Sequence, residues 1–346
     1  MLIFWAMFFV AASGALARAS LPKSQTRVMW ILVGVMFAVL IGLRHEVGGD
    51  WFNYLPQFYI AGEMKFSEVI QMADPGHWVL NMWVSDLGGD IHAVNMIYSV
   101  VLMWGVLVFC RKQPLPWLAL LVAVPYMLIV VGMGYTRQSV ALGFALFGLV
   151  ALGEHRVRSF VICVALGALF HKSAVLLMPI AALAATRNRL VTVAIVAVSA
   201  LMLYYLLLVD SAEALWANYV EAQMQSQGAF IRVIMNAVPA VLLLVFRKRL
   251  VEDPQERKLW LWVSMFALVC IPIVSLASTA VDRVALYFIP LQVFVFARLP
   301  YLAKSMSNRT LLTMAVVFYY AAVQFVWLNY ATHAVYWIPY KFMPLW

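Results

Sequence analysis

Charge is scarce in this chain: Asp, Glu, Lys and Arg together make up 11% of its 346 residues. No stretch is long and polar enough to form a separate soluble domain. Cysteine is scarce too. Cys110, Cys163 and Cys270 all lie within or at the ends of apolar runs. They read as small core residues, which excludes a disulfide framework or a thiolate metal site. Several motifs are missing altogether. There is no Asp-x-Asp pair to hold a metal-bound nucleotide sugar, no G-x-x-x-x-G-K-[ST] phosphate loop, no H-E-x-x-H zinc helix and no G-x-S-x-G elbow. The chain is therefore expected to use neither ATP nor a soluble nucleotide donor directly, and to carry no metal or cofactor.

What fills the chain is apolar side chain, 65% of all residues, where a soluble domain has about half. The fold class this implies is an all-α polytopic membrane protein. It forms one domain over residues 1–346, with roughly ten or more spans at ~20 residues each. The net charge of +9 is read through topology, and nucleic acid is not an expected partner. Met1–Ala17 lacks a basic leader and reads as a first span rather than a signal peptide. His77–Leu87 is too short to span and reads as an interfacial or re-entrant segment. Ser159–Thr186 is interrupted by His171-Lys172-Ser173 and Pro179. Read as one span, it places Arg187, Arg189 and the basic loop 247–258 outside, against the positive-inside tendency. Read as a broken, re-entrant pair turning at His171, it places them inside. A broken helix at membrane depth needs packed protein or a wet cavity around it. The outer loops are then 44–75 and 210–228. Most lysines and arginines fall inside. Arg44, Lys65, Arg137, Lys172, Arg232, Arg283 and Lys341 run against the trend.

The densest concentration of polar chemistry is the stretch Leu43–Tyr59. Arg44, His45, Glu46 and Asp50 lie within a few residues, with Gly48 and Gly49 between them and Trp51, Phe52, Tyr54, Phe58 and Tyr59 after them. Arginine forks onto phosphate or carboxylate. Aromatic rings anchor at an interface or stack on a sugar. Arg44, Arg137, the His171–Lys172 tip and Arg283 each set a cation against an outer helix end. Intramembrane charge is costly, so these positions point to a shared anionic ligand reached from the membrane, such as a lipid-linked diphosphate. The bland alternative pairs Arg44 with Asp50, Arg283 with Asp282, and Arg137 with a carbonyl. Asp50, Glu46 and Asp282 are candidate bases, and His171 is a candidate acid, base or phosphate donor. His45, His77 and His92 read as interfacial.

Four motifs in order, LRHEVGGDWFNYL, YTRQSVALGFALFGL, LGALFHKSAVLLMPI and DRVALYFIPL, resemble the EpsG family, Wzy-like polymerases of bacterial exopolysaccharide, capsule or O-antigen. The resemblance runs from about Leu43 to Leu291. It places an R-x-x-x-G-x-D-x-x-x-Y pattern on Arg44, Gly48, Asp50 and Tyr54. An Arg-Gln pair falls on Arg137 and Gln138, a Phe-His-x-Ser motif on Phe170, His171 and Ser173, and an Arg-x-x-x-Tyr motif on Arg283 and Tyr287. It implies a metal-independent glycosyltransferase of the bacterial inner membrane, with its active site on the periplasmic face. That enzyme joins polyprenyl-diphosphate-linked oligosaccharides by transfer to a hydroxyl of another lipid-linked repeat. The expected catalytic residues are Asp50, His171 and Arg137. Arg44, Tyr54, Gln138, Lys172, Asp282, Arg283 and Tyr287 are expected to bind substrate. Membrane lipids and a chain-length regulator are the other candidate partners. The rival readings are an O-antigen-ligase-like transferase, which uses another acceptor, and a lipid-linked glycan flippase or transporter.

Overall fold

A computed structural model describes residues 1–17, 22–184, 189–207, 226 and 228–343. Most of the 210–228 loop, and Arg187, lie outside the described residues. Among the described residues the regular structure is helical, apart from one isolated backbone bridge between Arg44 and Phe342.

The helices in order are α1 (Leu2–Leu16), α2 (Lys23–Gly42), α3 (Trp51–Glu63), α4 (Phe66–Val69), α5 (Pro75–Asp86) and α6 (Ile91–Arg111). They continue as α7 (Pro116–Gly134), α8 (Thr136–Gly153), α9 (Val157–Phe170), α10 (Lys172–Ala184) and α11 (Arg189–Leu207). The last four are α12 (Ala229–Leu250), α13 (Pro254–Ile273), α14 (Ser278–Phe296) and α15 (Met306–Tyr330). Seven of these, α2, α6, α7, α8, α12, α14 and α15, are long and apolar enough to cross a membrane. The chain is thus a multi-pass membrane protein. The expectation of ten or more spans exceeds this number because several apolar runs make short helices: α1, α9, α10 and Leu190–Leu203 have 10–17 residues each. Helix α13 has 20 residues and opens on Glu256, Arg257 and Lys258.

Helix α7 is the central post. Its span is 94% buried, against 28% for α15 and 33% for α2, whose flanks stay open to lipid. Its second half, Val124–Val131, is wound as a π-helix. Pro125 has no N–H to give to the α-helical ladder, which favours such a local change of winding. The winding carries the helix on through Gly134. The chain reverses at Tyr135. Helix α8 packs between α6 and α9 through small residues. A Cβ on Gly105 of α6 would stand 2.4 Å from the carbonyl oxygen of Gly143 on α8, and one on Gly167 of α9 would stand 3.2 Å from that of Ala141. Close backbone approach of this kind is how helices associate where no hydrophobic effect drives them together.

The two ends of the bundle differ. Beyond the C-termini of α6 and α8, Lys112 and Arg156 both pair with Glu154, the former at 2.5 Å. There Arg298 meets Gln113 and Glu256. At the opposite end the loop after α2 is strapped down by the C-terminal tail. The N–H of His45 donates to Lys341 O at 3.0 Å, that of Met343 to Leu43 O at 2.8 Å, and that of Gly48 to Tyr336 O at 2.8 Å. Lys341 also pairs with Glu46. Gly48 sits at φ +106°, and a Cβ there would lie 2.0 Å from Met133 O. Only glycine fits that crossing of the loop over the end of α7.

Candidate functional site

A cavity of about 510 Å³ opens at the strapped end. Asp50, Asn53, Tyr54 and Gln57 line it from the start of α3, Asp74 from the turn before α5, and Tyr135, Arg137 and Gln138 from the start of α8. His171 and Lys172 enter from the break between α9 and α10, and Arg283 from α14. At His171 the backbone is extended, φ −154° and ψ 107°, which separates two helical pieces each too short to span alone. The N-termini of α3, α8 and α10 therefore meet at one cavity. Their dipoles favour an anion there.

The side chains set out the charge. Arg137 Nη1 donates to Asp74 Oδ2 at 2.9 Å, and Nε reaches Tyr54 Oη at 3.4 Å. The Tyr54 hydroxyl donates to Asp50 Oδ2 at 3.2 Å. Asp74 Oδ1 accepts the Lys172 backbone N–H at 3.0 Å. Arg283 stands 5.1 Å from the centre of the Tyr135 ring. Among the described residues neither Arg283, Lys172 nor Asp50 has an ion-pair partner. With Arg137 and Asp74 cancelling, the cavity holds two unpaired cations against one carboxylate. Burial pushes the Asp50 carboxyl above its ordinary range, against the pull of Arg283, the Tyr54 hydrogen bond, Arg137 and Arg44. Burial likewise raises Asp74. His171 is oriented through Nδ1, 2.6 Å from Ser173 Oγ, and that hydroxyl donates to Tyr287 Oη at 3.3 Å. Nε2 has no protein partner among the described residues.

Six of the expected site residues thus line the cavity beside Asp50: Tyr54, Arg137, Gln138, His171, Lys172 and Arg283. Three do not. Tyr287 is buried behind His171 and braces Ser173. Asp282 faces away from the cavity into a buried ion pair with Arg232, whose Nη2 lies 2.5 Å from Asp282 Oδ2. Its sequence neighbour Arg283 is left free, because adjacent helical residues point in different directions. Arg44 is 1% exposed. Its guanidinium donates to Ile41 O at 2.6 Å, Val47 O at 3.0 Å, Thr136 Oγ1 at 3.1 Å and Asn95 Oδ1 at 3.4 Å. It is a staple joining the loop after α2 to α6 and α8, with each of its nitrogens engaged. The bland pairings of Arg44 with Asp50 and of Arg283 with Asp282 are absent as well.

That placement gives a clear expectation for Arg44. Charged hydrogen bonds are worth roughly 1.5–3 kcal/mol each, so Arg44→Ala should lower the amount and melting temperature of the membrane protein. Lysine, a single point donor, should not restore them. Thermal melting of the detergent-purified variants checks this. Wild-type melting with lost activity would return Arg44 to the anion site.

Sequence reasoning missed Asp74, Asn53, Gln57 and the group behind them. Asp74 has φ +57° directly before Pro75 at the start of α5. An acid preceding Pro-Gly at a helix start was the available signal. His77, expected at the interface, is 1% exposed. The Tyr98 hydroxyl lies 2.8 Å from its Nδ1, and Asn81 Nδ2, a donor, is 3.2 Å from the same nitrogen. Nδ1 therefore accepts, and Nε2–H donates to Gln57 Oε1 at 3.0 Å. Burial holds His77 down to about 3, so it stays neutral and turns the Gln57 amide nitrogen free of that contact. His92 is buried too, with Nε2 3.1 Å from His45 Nδ1 and Nδ1 2.9 Å from Asp90. Trp51 and Phe58 pack inside rather than forming an aromatic belt.

The EpsG family matches this chain over residues 27–342, nearly its whole length. No curated protein matches it.

Proposed function

The chain belongs to the EpsG family, and from that membership and the cavity we propose a glycosyl transfer between two lipid-linked oligosaccharides. The donor glycan is bound through the diphosphate that joins it to a polyprenyl chain. Arg283, Lys172 and Arg137 hold the diphosphate, assisted by the three helix N-termini. An acceptor hydroxyl of a second lipid-linked repeat attacks the anomeric carbon. The new glycosidic bond forms as the bond to the diphosphate oxygen breaks, and Asp50 takes the hydroxyl proton. The negative charge that develops on the departing diphosphate meets cations already in place, so little reorganisation is needed at the moment of reaction. Asp74 positions Arg137 and the first residue of α10. His171, held by Ser173, keeps Nε2 for the substrate.

The observation that carries this reading is the cavity's pairing of unpaired Arg283 and Lys172 with an unpaired, half-buried Asp50. In this proposal the cavity faces the periplasm and the protein resides in the bacterial inner membrane, where such lipid-linked repeats are available. A gel of lipid-linked glycans from a deletion strain provides the test. Single repeats should accumulate while polymer disappears, and restoring the gene should reverse both. Long chains stranded on the lipid carrier would mark a ligase instead.

A further inference from the structure

Tyr135 lines a second cavity as well as the first. This second cavity measures about 210 Å³. Its walls include Tyr126, Trp327, Tyr330, Arg232 and His333. Trp327 and Tyr330 belong to the last turns of α15, and His333 to the short helical turn after it. Arg232 lies in the first turn of α12. The cavity is thus at the same end of the bundle as the charged one, and Tyr135, with its aromatic ring, is common to both linings. That ring carries Arg283 on it, 5.1 Å from the centroid to the guanidinium carbon.

The lining is aromatic and polar together. Trp327 is set edge-on against buried Trp337, centroids 5.0 Å apart, and Trp337 is fixed by its Nε1–H donating to Ile129 O at 3.0 Å. The Tyr126 hydroxyl accepts from Arg232 Nη1 at 2.8 Å, and Arg232 is held in turn by Asp282. This gives a role to the buried pair that proved not to belong to the first cavity. A buried ion pair is weak support for stability on its own, but here it sets the angle of a ring in a cavity wall.

We propose that this second cavity is a glycan subsite. It would bind a sugar of the repeat a short distance along the oligosaccharide from the diphosphate held in the first cavity. The inference rests on the polymerase reading for the identity of the glycan. A sugar ring has apolar C–H faces and a polar rim, and it suits walls that mix ring faces with hydroxyl, imidazole and guanidinium groups. The isoprenoid tail of the same substrate suits them poorly, since it would lie against the His333 imidazole and take it from water. Tyr135 then reads as the step between the two subsites, with Arg283 in the first cavity against its ring.

The test uses the full-length protein in detergent with two probes. One is the host's oligosaccharide repeat, released from its lipid by mild acid. The other is a short-chain polyprenyl diphosphate. Tyr330 is 74% exposed, so Tyr330→Ala does not endanger folding, and Trp327→Ala is its partner variant. Each should weaken oligosaccharide binding by about fivefold or more, the loss of a ring contact. Each should leave polyprenyl diphosphate affinity within about twofold, as expected of separate sites. Oligosaccharide affinity unchanged in both variants would overturn the subsite, as would failure of the wild type to bind the released repeat. Loss of polyprenyl diphosphate binding instead would also overturn it and assign the cavity to the lipid tail. If both variants lose oligosaccharide affinity while a deletion strain still makes polymer, the subsite stands and the polymerase reading falls.

Discussion

Asp50→Asn should leave the protein in the membrane at its normal level and cut polymer formation by ~100- to 10,000-fold, the usual worth of a general base. The substitution preserves shape and can still receive the Tyr54 hydrogen bond. Stability should not suffer, and the sign can be worked out. Burial raises the Asp50 carboxyl, so the folded state binds its proton more tightly than the unfolded one. A group of that kind lowers stability as pH rises through its folded value. Asparagine removes that cost, and melting should be at least as high as for wild type near neutral pH. Activity runs the other way. The base must be ionised, so the acid limb of polymer formation should lie above the ordinary aspartate value of about 3.9. Activity falls as pH drops through that limb. Initial rates of polymer formation in proteoliposomes across pH, with melting curves alongside, check both.

The second large effect is expected at Arg283. It has no ion-pair partner among the described residues, so Arg283→Ala breaks no ion pair and should not reduce abundance. Removing one preorganised donor from a developing charge costs about 100- to 1,000-fold, and lysine should recover only part of that. A second signature accompanies the loss. Arg283 is the strongest of the influences that restrain the upward shift of Asp50. Its removal should move the acid limb of the residual activity to still higher pH. Normal rates with an unmoved limb would detach Arg283 from both the diphosphate and Asp50. Arg137 is a less clean probe, because its loss also strands Asp74.

The cations of the site could be read from sequence because a charge at an apolar helix end is costly and therefore conspicuous. Arg137, Lys172 and Arg283 stood out on that ground and do line one cavity. Arg44 stood out equally and has another job: burial among carbonyls and side-chain oxygens from three parts of the chain satisfies a guanidinium as well as a phosphate does. Only coordinates separate those cases. Asp282 shows the same limit, since its partner Arg232 lies on another helix. Asp74 was missed although an acid before Pro-Gly marks the start of α5, and Gln57 because the sequence does not say which face of α3 meets the cavity. The break at His171 was legible from His-Lys-Ser interrupting an apolar run. The count of long spans was not, since apolar runs alone do not say whether a helix is continuous or ends after 14 residues, as α9 does.

The central claim is that the cavity binds a diphosphate-linked glycan and that Asp50 deprotonates the attacking hydroxyl. The most direct measurement follows release of polyprenyl diphosphate from purified lipid-linked repeat, supplied alone to the purified protein in nanodiscs. Wild type should release one polyprenyl diphosphate for each glycosidic bond formed. Asp50→Asn should bind the repeat with an affinity within about threefold of wild type, yet release polyprenyl diphosphate at least ~100-fold more slowly. Release by Asp50→Asn at the wild-type rate would contradict the account.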